Sequence, residues 1–133
     1  MGVGTRNPVN PKDSPVGSMK RDIEIYRQIL LDLEACNTSH ADVRSLANVD
    51  DDTTAYHIRL LYEAGLIHAI DMSSNDGDTW SATSLTHSGH DFLDTMKAET
   101  LWNKTKSMAL QKFGTLSLEA LKAAIPLALA HLK

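Results

Sequence analysis

Apolar residues recur at Met19, Ile23, Tyr26, Leu30 and Leu33, at alternating spacings of four and three, and so fall on one stripe of a helix that the pattern carries to about Ala35. Asn37, Thr38 and Ser39 interrupt that stripe and offer capping side chains. After them residues 41–47 predict a short second helix with Val43, Leu46 and Ala47 inward. Residues 48–51 read as a turn, with Asp51 or Asp52 as the N-cap of a third helix over residues 53–64. Gly65 ends that helix, because it enters the left-handed conformation without steric cost.

Past Gly65 the period changes. Residues 66–71 and 79–85 are short extended runs containing Ile, Thr and Trp, separated by SSNDGD, whose Asn, Asp and Gly form turns, and together they predict a hairpin. Thr86 or Ser88 can cap a fourth helix with Phe92, Leu93 and Met96 on its apolar face, and a fifth runs over about residues 99–112 to a stop at Gly114. Three helices, a hairpin and a further helix is the order of a winged helix. The fold class expected is therefore mainly α with a small β-hairpin (α+β), a winged helix-turn-helix over residues 19–97 with additional C-terminal helices over residues 98–133.

Those C-terminal residues carry a second unusual pattern. Thirteen of the 17 residues in LSLEALKAAIPLALAHL, 116–132, are apolar, so a helix here is apolar around most of its circumference and needs cover on two sides. Leu121, Ile125 and Leu129 form a face for docking on the domain, extended by Leu118 and Leu132, while Ala120, Ala123, Leu127 and Ala130 need another cover. A second copy of the chain supplies it most simply, because twofold dimers use one patch on both partners. The interface candidates are Leu118, Ala123, Leu127 and Ala130, and Pro126 is expected to kink the helix or divide it in two.

Composition narrows the setting. Residues 1–18 hold three of the four prolines and three of the seven glycines and cannot bury a face, so they read as a flexible or cloning-derived arm before a natural start at Met19. A single cysteine, Cys36, leaves no pair for an internal disulfide. No run approaches the roughly 20 apolar residues that span a bilayer, and no secretion signal is recognisable, so a cytoplasmic location is expected.

YHIRLLYEAGLI, then a hairpin, then SLTHSGHDFL, is similar to the helix, AGLI, wing and LTxxGxxFL pattern of many bacterial and phage winged-helix proteins. Within that group MKRDIEIYRQILLDLE, the Tyr56–His57 pair, and GHDFLD followed by LWNK resemble the domain-of-unknown-function family numbered 2513 of bacteria and their phages, over roughly residues 19–113. The broader resemblance implies DNA binding through the third predicted helix and the wing, and the phage association implies a role in phage and host conflict.

Charge opposes the DNA reading. At 100° per residue Thr54, Ile58 and Leu61 face the core, leaving Tyr56, Arg59 and Glu63 outward with Thr53 and Leu60 on the flank. Between residues 47 and 90 the acids are Asp50, Asp51, Asp52, Glu63, Asp71, Asp76 and Asp78, against Arg59 as the only Lys or Arg, a surplus of six negative charges. Strong duplex binders make about 6–10 phosphate contacts. A carboxylate about 4 Å from a phosphate costs about 1 kcal/mol even in water. Three aspartates at the approaching helix end outweigh one arginine. Lysines in the C-terminal third, among them Lys97, Lys104, Lys106 and Lys112, are interspersed with acids and read as a solvated face.

Catalytic chemistry finds no foothold. His87 and His90 have the i, i+3 spacing of a shared metal, but no third ligand stands at a recognisable spacing, and His57 reads as structural. No phosphate-cradling glycine loop or nucleophile elbow is present, so no cofactor and no metal are expected. Two readings remain. In the first, a non-enzymatic winged-helix module associates with itself and with a basic or nucleic-acid-handling partner, using Asp50, Asp51, Asp52, Tyr56, Arg59, Glu63, Asp76 and Asp78. In the second, a DNA-binding regulator uses Thr53, Tyr56, His57 and Arg59 with Lys20 and Arg21.

Overall fold

A computed structural model describes residues 20–36, 38 and 40–131, and among these the chain forms five helices and one two-stranded antiparallel sheet. The proposed arm, the start at Met19, the breakers Asn37 and Ser39, and Leu132 lie outside the described residues.

Helix α1 (Ile23–Ala35) starts where Asp22 accepts a hydrogen bond from the Glu24 N–H at 2.9 Å. Its buried stripe is Tyr26, Ile29, Leu30 and Leu33. The second predicted helix is not formed. Residues 41–43 run extended beside the sheet instead: Ala41 N–H donates to the Thr83 carbonyl at 2.9 Å, and Val43 and Ala82 exchange backbone bonds at 3.0 and 2.9 Å. Asp42 also accepts from the Ser81 hydroxyl at 2.5 Å. Seven residues cannot sustain a helix unaided, and an open strand edge offers their backbone groups better partners. Leu46 and Val49 then close a tight turn through Asn48, at φ 64°, leaving Ala47 exposed rather than inward.

Helix α2 (Asp51–Glu63) begins two residues before the expected start. Its N-cap is Asp50, not Asp51 or Asp52: the Asp50 carboxylate accepts from the Thr53 N–H at 3.0 Å and from its hydroxyl at 2.6 Å. Thr54, Ile58 and Leu61 face inward with no exposed surface, as the helical wheel requires. Gly65 follows at φ 77°.

Strands β1 (Ile67–Asp71) and β2 (Trp80–Leu85) pair from Ile67 opposite Leu85 to Asp71 opposite Trp80, with a bulge between His68 and Ala69. Ser74 and Gly77 exchange backbone bonds at 3.0 and 3.1 Å to close the hairpin, Gly77 at φ 139°.

Helix α3 (His87–Lys97) is capped by Thr86, and this cap ties the two most recognisable sequence segments together. Thr86 Oγ1 accepts from the Gly89 N–H at 3.0 Å while its hydroxyl donates to the Gly65 carbonyl at 2.7 Å, and the Thr86 N–H donates to the Leu66 carbonyl at 3.1 Å. A Cβ on Gly89 would stand 1.9 Å from that Leu66 oxygen. The LTxxG segment thus holds the exit of the hairpin against its entry.

Helix α4 (Glu99–Phe113) stops at Gly114, at φ 72°, and the chain turns through 113° into α5 (Leu118–His131). Helix α5 buries Leu118, Ala120, Leu121, Ala124 and Ala128, whereas Leu129 is 45% exposed and Ile125 only partly buried. The docking face is therefore rotated from the expected leucine and isoleucine stripe toward alanines, whose small side chains allow α4 to approach closely. Leu118 and Ala120 belong to this inner face, which removes Leu118 from the interface candidates. Ala123, Leu127 and Ala130 remain exposed. Pro126 neither ends nor divides α5: it lies on the exposed side, where solvent can take the carbonyl left without an N–H partner. Buried side chains from α1 through α5 join one apolar cluster. No single helix among the described residues is long and apolar enough to cross a membrane.

Candidate functional site

The open surface between α2 and the hairpin holds a groove of about 370 Å³, lined by Asp52, Ala55, Tyr56 and Arg59 from α2 and by Gly77, Asp78 and Trp80 from the hairpin. Residues 52, 55, 56 and 59 share one side of the helix because each step of three or four residues nearly completes a turn. The hairpin supplies the other wall because the Gly77 turn leads through Asp78 into Trp80 at the start of β2.

Arg59 lines this groove beside an aromatic ring and a carboxylate. Its guanidinium carbon lies 5.6 Å from the centre of the Tyr56 ring, and its Nε stands 3.6 Å from a Glu63 carboxylate oxygen. Across the groove Trp80 packs against Tyr62, ring centres 5.5 Å apart. Hydrogen bonds from Ser73 hold the Asp71 carboxyl below its ordinary value, with the Arg59 charge a smaller contribution. The face thus presents carboxylates and two aromatic rings around an internally paired cation.

The expected acidic set is only partly brought together. Asp52, Tyr56, Arg59 and Asp78 meet in the groove, and Glu63 reaches it by pairing with Arg59. Asp51 is exposed in the first turn of α2, Asp76 is at the hairpin tip with its N–H bonded to Ser74 Oγ at 3.3 Å, and Asp50 is the helix cap. Trp80 and Gly77 were not among the sequence candidates. A tryptophan two residues after Asp78, at the start of the second strand, is the signal that could have found the wall.

The DNA-contact set is dispersed. His57 is fully buried, its Nε2 accepting from the Asp22 N–H at 2.9 Å and its Nδ1 bonded to the Thr53 carbonyl at 2.8 Å, so it cannot reach a base or phosphate and is corrected to a structural residue. Those partners fix the neutral tautomer with the proton on Nδ1. The Thr53 hydroxyl is spent on Asp50. Arg21 lines a separate small cavity with Tyr26, Glu63 and Glu119, and Lys20 is exposed beside it in sequence. Burial raises the Tyr26 hydroxyl pKa well above its ordinary value. Among the described residues no group of three or more His, Cys, Asp or Glu side chains is placed to hold a metal ion, and His87 faces Asp91 at 3.6 Å on the exposed surface.

A family model described as Hypothetical protein (DUF2513) matches residues 20–115. A relative from Haemophilus influenzae (strain ATCC 51907 / DSM 11121 / KW20 / Rd), described as an uncharacterized protein, is 39% identical over 106 residues, covering 78% of this chain and 90% of the relative. No solved structure matches the chain.

Proposed function

We propose that this chain, which belongs to the DUF2513 family, is a non-enzymatic binding module that engages a basic protein partner through the groove between α2 and the hairpin. The observation that carries the reading is the state of Arg59. It is the only Lys or Arg between residues 47 and 90, it stands beside Glu63 and Tyr56, and seven carboxylates from the same stretch outnumber it, so this face offers a phosphate one cation where strong duplex binders use about 6–10. The same surplus of carboxylates attracts a positively charged surface and steers its approach. Self-association through the outward side of α5, where Ala123, Leu127 and Ala130 are exposed, is the second part of the reading.

The deciding measurement is binding to random duplex DNA at low and moderate salt, beside binding to a polycationic protein. Affinity for duplex is expected to be weaker than about 10⁻⁴ M at physiological salt. The polycation should bind with an affinity that falls as salt screens the surface. Sub-micromolar duplex binding with a steep salt slope would overturn this reading in favour of a DNA-binding regulator that uses α2 and the hairpin.

A further inference from the structure

We infer that the groove is a receptor for a single arginine side chain on an extended basic segment of the partner, an inference that rests on the acidic-face reading above. Four groups define it: Tyr56 on α2 and Trp80 on β2 supply aromatic rings, and Asp52 and Asp78 supply one carboxylate from each wall. A volume of about 370 Å³ is at the small end of ligand pockets, suited to one long side chain and its neighbours rather than to a duplex backbone.

The chain itself already places a guanidinium on this surface. Arg59 lies over the Tyr56 ring and beside Glu63, the combination of aromatic face and carboxylate that a planar, weakly hydrated cation prefers. Beside Arg59 and its Glu63 neighbour, the groove carries two further carboxylates, Asp52 and Asp78, which are exposed, come from opposite walls and share one lining, so carboxylates outnumber the resident cation. An incoming arginine can fork toward a carboxylate while its plane lies along Trp80. A lysine ammonium matches the charge but neither the fork nor the plane, so the groove selects arginine over lysine.

The test uses two short capped peptides that differ only in carrying arginine or lysine, titrated into the full chain while the Trp80 indole N–H is followed by NMR. The chain has two tryptophans, and Trp80→Phe assigns the signal. The arginine peptide should shift the Trp80 signal and bind at least about fivefold more tightly than the lysine peptide. Asp52→Asn and Asp78→Asn, which change exposed side chains and leave the packing alone, should each weaken it by a similar factor. Equal binding of both peptides with no effect of either aspartate variant would overturn the arginine pocket while leaving the acidic-face reading intact. Failure of both peptides and of the polycation to bind, with duplex DNA bound instead, would overturn both.

Discussion

Gly89 shows how one position can be dictated by its surroundings. A methyl group there would meet the Leu66 carbonyl oxygen at 1.9 Å, a backbone atom that cannot swing aside, so Gly89→Ala must push α3 off the start of β1. The expected cost is about 1–3 kcal/mol in urea unfolding, the range for overpacked sites. A variant as stable as the parent would mean that α3 shifts freely. His57 makes a different demand. Burial lowers its pKa below the ordinary 6.5, opposed by the Thr53 backbone bond and by the charges of Asp22 and Asp50. The unfolded chain then binds the proton more readily than the folded one, so the His57 contribution is fully present above about pH 6.5 and is lost as pH falls through the depressed folded value. Protonation also turns Nε2 from an acceptor into a donor facing the Asp22 N–H. Urea midpoints should fall as pH drops below about 6.5, and His57→Gln should be less stable at pH 7 but flatter across this window. An unchanged slope in that variant would assign the pH dependence to other groups.

At the scale of elements, α2 depends on its first turn. Asp50 accepts two hydrogen bonds from Thr53, while Asp51 and Asp52 extend into solvent. Asp50→Ala should therefore cost about 0.5–2 kcal/mol, and Asp50→Asn much less, because the amide oxygen can take over the cap. Asp51→Asn and Asp52→Asn should leave the thermal midpoint nearly unchanged. A larger loss at Asp52 than at Asp50 would show that the wrong cap has been assigned. Most element boundaries could be read within a residue or two from period and punctuation: α1 from its stripe, the hairpin from SSNDGD, the ends of α2 and α4 from Gly65 and Gly114. Residues 41–47 could not, because their apolar spacing suits a helix while their backbone bonds are claimed by β2, more than 35 residues away.

For the whole molecule, the outward side of α5 bears on assembly. With Leu118 and Ala120 committed to the inner face, Ala123, Leu127 and Ala130 stay exposed on α5, and Leu127 is the largest of them at 37% exposed. Light scattering is expected to give about twice the mass of one chain, and Leu127→Glu about the mass of one. A parent protein that stays monomeric at high micromolar concentration would remove self-association and leave α5 as a helix with one apolar edge in water.

Taken alone, the sequence determined the mainly helical class with one hairpin, the inward faces of α1, α2 and α3, and the acidic surplus over residues 47–90, because period, capping residues and charge count are local quantities. Tertiary structure decided the rest. It buried His57 against the start of α1, replaced a helix with an edge segment, and turned α5 onto its alanines. It also brought Trp80 and Asp78 of the hairpin into one lining with Tyr56 and Asp52 of α2, so that residues far apart in the chain share one groove. These outcomes depend on which distant group reaches a side chain first, and no local spacing encodes that.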